Sequence, residues 1–458
     1  MRRVDCTKGL GSARAVKDYI FFWGCTIPNR FPFLEKSMRL VLGKLGVRFK
    51  EIEGFTCCPE KFLVMTLSEE AWHLTAARNL ALAEREGADL LVPCNGCYST
   101  FRQAISDFAA DAGLRHMVKE RLAQIGLDYD FKTGVHHVVE VLHDSLGPAV
   151  IARKVERPMA GMVIAPHYGC QVLRPWPVVR LDDALHPVKL DRLIEAIGAR
   201  SLDYPLLLNC CGESLSRTGN SRESEEVARD KLLEVDSMGA DAISVICPAC
   251  FQQFDTVQSI LQREIEGFNV PVFFYTELLG LALGIEASEM GFDMHRADVT
   301  PFMERWQLME RERGKVADCF DYDAMRTCVE CASCSSDCPV AQLEEGFEPH
   351  SVLSGILQGR LDEVVDSDDI WKCLECGTCT ELCPNNFGMT KVFKEAKRLA
   401  IDKGREPPEA AQGADMFKKT GMLGKERGRA RAKLGLGPKM ESGGEELKKL
   451  LERTFNKE

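Results

Sequence analysis

Eight cysteines in the C-terminal third of the chain stand at a spacing suited to one chemistry: Cys328-x2-Cys331-x2-Cys334-x3-Cys338-Pro339, repeated as Cys373-x2-Cys376-x2-Cys379-x3-Cys383-Pro384. Three thiolates at three-residue intervals wrap one face of an iron-sulfur cubane, while the fourth, turned away by the proline, reaches the neighbouring cluster. By that rule Cys328, Cys331, Cys334 and Cys383 hold one 4Fe-4S cubane, and Cys373, Cys376, Cys379 and Cys338 hold the other. Zinc sites more often use two C-x2-4-C pairs than four cysteines in one run.

Ten further cysteines form a different pattern, written twice. Cys25, Cys57, Cys58, Cys94 and Cys97 follow C-x31-CC-x35-C-x2-C, and Cys170, Cys210, Cys211, Cys247 and Cys250 follow C-x39-CC-x35-C-x2-C. Five thiolates exceed the four corners of a cubane. They suit a cluster with an unusual iron arrangement, or one in which the adjacent pair bridges or serves two irons, and zinc in one copy is the minority alternative. Cys6 and Cys319 have no partner at ligand spacing and read as inert thiols.

The elements that must position these residues are legible as an internal repeat. The apolar runs Tyr19–Trp23 and Met162–Ala165 each lead to a Gly-Cys turn, at Gly24-Cys25 and Gly169-Cys170. Each copy then has a helical stretch, its Cys-Cys pair, a second helical stretch and a strand running into C-x-x-C. The copies close on Val135–Leu142 and Val272–Leu279. Strands alternating with helices predict parallel-sheet α/β lobes whose cysteines lie on loops at strand ends, facing a shared site. An α-helical two-cluster domain of ferredoxin type should follow them. The expected boundaries are an N-terminal tail at 1–16, repeat one at 17–150, repeat two at 151–285, a charged helical connector at 286–322 with an exposed helix from Met303 to Arg313, the cubane domain at 323–400 and a charged helical tail at 401–458.

At 458 residues and 45% hydrophobic content the chain is long enough for two or three domains with cores of their own. It has no need of a disulfide framework, which belongs to small secreted domains. A formal charge of −11 argues against general nucleic-acid binding. The most apolar segment, Val272–Leu283, is short and interrupted by Glu277, and no apolar leader follows the start. The expectation is a soluble cytoplasmic protein with no membrane span. No Gly-x-Gly-x-x-Gly run argues for a flavin or nicotinamide of its own, so electrons must come from another subunit or donor.

With Phe21-Phe-Trp-Gly-Cys-Thr-Ile-Pro-Asn-Arg30, Cys94-Asn-Gly-Cys-Tyr98 and His167-Tyr-Gly-Cys170, the repeat resembles the B-type component of heterodisulfide reductase, with its duplicated cysteine-rich CCG domain. The C-terminal part, with Ser367-Asp-Asp-Ile-Trp371 before its second cluster motif, resembles that enzyme's C-type component, as if the two were fused. The resemblance implies a noncubane 4Fe-4S cluster in each five-cysteine set. It also implies a disulfide, the coenzyme M–coenzyme B heterodisulfide or an analogue, split between the two clusters. Electrons would come through the cubanes from a flavin-containing A-type subunit, in an anaerobic, electron-bifurcating complex with hydrogenase, formate dehydrogenase or other reductase subunits. The alternative is an electron relay in another flavin and iron-sulfur complex, such as an aromatic acyl-CoA reductase, with no disulfide of its own. The iron-sulfur subunits of glycolate or lactate oxidation rank last, because they place the two motif types in the reverse order.

Smaller features bear on the site. His167, three residues before Cys170, is a weak catalytic candidate: it could donate a hydrogen bond or proton to a cluster sulfur, or be a satisfied loop histidine. Gln171 stands where the B-type components of methanogens usually have histidine, and glutamine supplies no proton. The loop Gly212–Arg217 is less glycine-rich than the family pattern. His136 and His137 align with Phe273 and Phe274 and read as packing residues. The basic run Lys425–Lys433 reads as a solvated helix face or a dock for an acidic partner.

Overall fold

The computed structural model describes residues 18–325, 328, 331, 333–357, 359–423, 428–437 and 443–455. Cys6, the expected N-terminal tail and Lys425–Arg427 of the basic run lie outside them. The chain divides into two compact units between Arg311 and Glu312.

The first unit contains two four-stranded, wholly parallel sheets of the same topology, ordered β2-β1-β3-β4 and β6-β5-β7-β8. The strands are β1 (Tyr19–Phe21), β2 (Phe49–Lys50), β3 (Asp89–Val92), β4 (Val135–His137), β5 (Val163–His167), β6 (Arg200–Ser201), β7 (Ala242–Val245) and β8 (Val272–Phe274). Register repeats with order. Ile20 pairs with Leu90 and Ala165 with Ile243, each partner four residues before the first cysteine of C-x-x-C. Strands buried on both faces, as β1 and β7 are, carry apolar runs in place of alternation. In both sheets the chain order reverses between the first and third strands of the copy, the place where open parallel sheets leave a crevice at their carboxyl ends.

The helix Glu69–Arg85 packs on the first sheet through Trp72, Ala76, Ala77 and Leu80, and starts where Ser68 accepts a hydrogen bond from Ala71 N at 3.2 Å. Its counterpart, Ser221–Ser237, buries Ala228, Leu232 and Val235, and Lys231 among them. The closing segments are strand for only three residues. Glu140 accepts from the backbone N of His137 at 3.2 Å and Glu277 from that of Phe274 at 2.8 Å, so each run turns into helix at its fourth residue.

One continuous apolar core runs through both lobes. Phe31 and Phe33 of the first lobe stand edge-on to Phe251 of the second, at 5.2 and 5.7 Å between centroids. Tyr98 Oη donates to Val179 O at 2.9 Å, and Asn95 Nδ2 to Tyr168 O at 2.7 Å. The connector differs from its sequence reading as an exposed helix. In the helix Thr300–Cys319, Phe302 and Trp306 are buried, Arg157 stacks on Trp306 at 4.4 Å and donates twice to Glu310 at 2.6 Å. A short apolar stripe of Phe302, Met303, Trp306 and Met309 among many charges gave too little signal to mark a packed face.

The second unit, among its described residues, is helical and without strands. Its core joins Phe320, Phe347, Leu353, Ile356, Met389 and Phe393. Helices continue in the tail at Pro408–Thr420, Gly428–Lys433 and Gly444–Phe455. Among the described residues no helix is long and apolar enough to cross a membrane.

Two consequences are measurable. Gly169 holds φ +75°, and a Cβ there would stand 2.6 Å from Asn95 Nδ2, whereas at Gly87, φ +69°, it would meet nothing within 4 Å. Gly87→Ala should therefore lower stability by only the left-handed backbone penalty, about 1–2 kcal/mol, and Gly169→Ala by about 1–3 kcal/mol more; equal thermal shifts would refute the close approach. His136 lies between Asp89 and Glu140, both at 3.2 Å, and their hydrogen bonds raise its pKa to about 9. A folded pKa above the unfolded value of about 6.5 gives stability that is full below pH 6.5 and lost as pH rises through 9. Unfolding at pH 6 and pH 9 should show a loss of about 1–2 kcal/mol that His136→Phe, the residue of the second lobe, does not show.

Candidate metal centres

Each lobe delivers its cysteines from the carboxyl ends of its two central strands. Cys25 follows β1 through the Gly24 turn and Cys94 follows β3, with Cys97 in the first turn of the helix Asn95–Ala110. Cys170 follows β5 through Gly169 and Cys247 follows β7, with Cys250 in the first turn of Pro248–Glu264. The Cys-Cys pairs arrive from loops that buried side chains hold. In the first lobe Asn79 accepts from Thr56 N and donates to Cys57 O, both at 3.1 Å. In the second, Lys231 Nζ donates to Leu207 O at 3.3 Å and Asn209 O at 2.7 Å.

All ten of these cysteines line one cavity of about 110 Å³ between the lobes. Cys25 and Cys57 Sγ are 3.6 Å apart, and Cys170 and Cys210 Sγ 3.9 Å. At such distances the thiols titrate against one another. Hydrogen bonds from Cys170 and Cys211 pull Cys210 down to about 2, while the bond to Cys210 and burial push Cys170 up. Cys57 and Cys97 pull Cys58 down to about 6, and Cys97 is pushed up by its bonds to Cys58 and Cys94. A few sulfurs take the charge and the rest keep their protons. A soft cation would let the thiolates of each lobe coexist, and an all-thiolate donor set fits iron-sulfur chemistry.

The other lining residues include Trp23, Thr26, Glu60, Asn95, Gln171, Glu213 and Arg217. Gln171 Oε1 lies over Gly96, where a Cβ would be 3.1 Å from it. The loop Gly212–Arg217 becomes a short helix at Glu213–Ser216, and Arg217 Nε donates to Glu213 at 2.8 Å. Glu60 and Glu213 were not singled out from sequence, although each stands two residues after its Cys-Cys pair, a repeat that marks them. Asn79 and Lys231 carried no comparable signal. His167 ends β5 and is no loop residue: it is fully buried, its Nδ1 3.0 Å from Lys231 Nζ and its Nε2 without a partner among the described residues. His136 and His137 are packed at the end of β4 and do not line the cavity, although the buried His137 reaches the backbone of Ile246 and the neighbourhood of Cys247 behind it.

In the second unit the eight motif cysteines divide between two small cavities. One is lined by Cys328, Cys331, Cys334, Cys379 and Cys383, the other by Cys334, Cys338, Cys373, Cys376 and Cys379, so that Cys334 and Cys379 line both. The last cysteine of each run thus joins the other run's cavity. Backbone N of Glu375 donates to Cys373 Sγ at 3.4 Å, and Lys397 Nζ reaches Cys373 O at 2.9 Å. Leu353 and Met389 wall the first cavity, Phe347 and Phe393 the second. Cys319 lines a separate hollow with Phe320 and Met325.

Comparison with known proteins agrees with this division. Residues 19–102 and 164–255 each match the cysteine-rich CCG domain, and residues 324–387 the 4Fe-4S dicluster domain. The B-type component of the ferredoxin/F420H2-dependent CoB-CoM heterodisulfide reductase of Methanosarcina acetivorans is 34% identical over 286 residues, 62% of this chain and 95% of that protein. The 8-methylmenaquinol:fumarate reductase membrane anchor subunit of Wolinella succinogenes is 28% identical, over 62% of this chain and 98% of its own. A crystal structure of a hypothetical protein from Helicobacter pylori shares the fold at a TM-score of 0.50 and 18% identity, covering 62% of this chain and 52% of that one. With its two cysteine-rich lobes and the dicluster domain that follows them in sequence, the chain belongs to the family of B-type heterodisulfide reductase components and is an iron-sulfur protein of electron transfer.

Proposed function

We propose that this chain takes electrons through two cubane 4Fe-4S clusters and delivers them to a pair of noncubane 4Fe-4S clusters, one per lobe, that reduce a disulfide. The ligands are Cys25, Cys57, Cys58, Cys94 and Cys97 in the first lobe, and Cys170, Cys210, Cys211, Cys247 and Cys250 in the second. The observation that carries the reading is that both sets open on one cavity. When bound, the paired clusters supply two electrons and an iron site for each sulfur of the disulfide. The residues of the chain hold the substrate between the lobes and keep water from it; Trp23 and the buried Asn95 are among the walls. The electrons come from a flavin-containing A-type subunit, in a cytoplasmic complex with further hydrogenase, formate dehydrogenase or reductase subunits.

The lining chemistry bears on which disulfide. Two carboxylates, Glu60 and Glu213, stand beside one guanidinium, Arg217, which Glu213 already holds. The coenzyme M–coenzyme B heterodisulfide, with its sulfonate and phosphate, meets little countercharge among these residues. An analogue of lower negative charge meets less repulsion.

Anaerobically purified protein should contain about sixteen irons, four for each cluster; eight irons with two zincs would remove the paired site. Cys383→Ser should abolish the spectroscopic signal of the cubane otherwise held by Cys328, Cys331 and Cys334, and loss of the other cubane's signal would refute the crossover. With a chemical donor and intact cubanes, turnover of the coenzyme heterodisulfide or of a neutral disulfide is expected. If neither is reduced, the chain is an electron relay without a disulfide substrate.

A further inference from the structure

The two halves of the cavity are not chemically equal. We propose that Lys231 and His167 form a positioning pair behind the second-lobe cysteines, with His167 Nε2–H donated to a cluster thiolate, so that the cluster held there is the easier of the two to reduce. The inference rests on the reading of one cluster per lobe.

Lys231 is 0% exposed, on a helix face otherwise lined by Ala228, Leu232 and Val235. A buried ammonium is tolerated only when its donors are used and an anion is near. Its three N–H groups have three acceptors: His167 Nδ1 at 3.0 Å, Leu207 O at 3.3 Å and Asn209 O at 2.7 Å. None of the three is an anion. Burial pulls its pKa down to about 8, and Cys250, Cys211 and Cys210, the proposed cluster ligands, are the largest influences that hold it up. The charge is therefore stored where an iron-sulfur site would use it.

The same contact fixes the histidine. An Nδ1 that accepts from an ammonium carries a lone pair, which leaves the ring proton on Nε2. That nitrogen is buried and without a partner among the described residues. One ring nitrogen of His167 and the Sγ atoms of Cys211 and Cys250 lie within 4.8 Å of one another. Phe254, edge-on at 4.8 Å and perpendicular, holds the ring plane. With its Nδ1 lone pair on the ammonium and a proton on Nε2, the ring has no lone pair left for a metal at either nitrogen, so this trio is a hydrogen-bonding site and not a Cys2His ligand set for zinc.

The first lobe has neither group. Phe22 occupies the position of His167, three residues before the Gly-Cys turn's cysteine. The residue twenty positions after Cys58, matching Lys231 after Cys211, is Arg78, whose Nη1 turns outward to Gly54 O at 2.8 Å. The loop of the Cys-Cys pair is held there by the neutral amide of Asn79. Adding one electron to a cluster makes its sulfurs more negative by one charge, with no proton transfer. A buried N–H donor and the Lys231 ammonium behind it stabilise that state in the second lobe, whereas the cation that reaches Cys25 of the first, Arg217, is already paired with Glu213.

The test uses the full chain, iron-loaded and anaerobic, in Lys231→Met and His167→Phe variants. Redox titration is followed by electron paramagnetic resonance, and the first-lobe signal is assigned with Cys25→Ser. The expected result is an unchanged iron count and a fall of tenfold or more in the one-electron reduction constant of the second-lobe cluster, about 59 mV per decade. The first-lobe cluster should not move, and Lys231→Arg should recover most of the loss. Full iron with neither potential moved, or both moved equally, overturns the inference while the cluster reading stands. Zinc in place of the second-lobe iron overturns both. Electron-nuclear double resonance on 15N-histidine-labelled wild-type protein needs no variant to fold: a weak nitrogen coupling to the second-lobe cluster is expected, while a strong one, meaning direct ligation, or none refutes the proposal.

Discussion

Ten sulfurs that share one small cavity cannot all be thiolates unless positive charge sits among them, and the first unit is arranged around that requirement. Parallel sheets suit it because their strand ends converge, so short turns bring distant cysteines together without long loops. Gly24 and Gly169 make those turns in backbone that a side chain would strain and crowd. Neither lobe can enclose a site by itself. The shared aromatic core and the bond from Asn95 to Tyr168 turn two half-sites into one. Folding and metal loading are therefore coupled: the packing that joins the lobes also concentrates the negative charge that iron must neutralise.

What was legible in the sequence follows from the range of the forces involved. Cysteine grouping is written in local spacing, so the runs alone divide Cys328 to Cys383 into the two sets that the structure gathers about two cavities. The duplicated lobes were legible because the apolar run, the Gly-Cys turn and the Cys-Cys pair recur in order. The start of helix at Val138 was not, because Val135–Leu142 is apolar throughout and only Glu140, acting as a cap, separates strand from helix. Trp306 was hidden among charges whose partners, such as Arg157, are far away in the chain. Lys231 was hidden most completely. Between Asp230 and Leu232 it reads as a solvent-facing helical lysine, and the carbonyls that justify its burial come from a loop more than twenty residues earlier.

The second unit solves a smaller version of the same problem by covalent economy. Each cysteine run contributes its last member to the other run's cavity, so the two halves of the domain are tied through whatever those cavities hold. Cys334 and Cys379 border both cavities, which makes their side chains a common wall. That wall keeps the two cavities adjacent, the arrangement the proposed relay needs. The core of this unit is smaller than that of the first unit, and a small helical domain of this kind gains rigidity when its cysteines are ligated.

Duplication gives the first unit a pseudo-symmetric scaffold, and a symmetric pair of metal sites would have no reason to treat the two sulfurs of a disulfide differently. The side chains break the symmetry at one end. Thr26 is matched by Gln171 and Phe22 by His167, and the Cys-Cys loop that the amide of Asn79 holds in one lobe is held in the other by the ammonium of Lys231. The strands and glycine turns that set geometry are the same in both lobes, while the groups that set electrostatics differ. A cavity built this way fixes distance by symmetry and direction by substitution. On the proposed reading, which half is the easier to reduce then depends on His167, Gln171 and Lys231, side chains that are not themselves ligands.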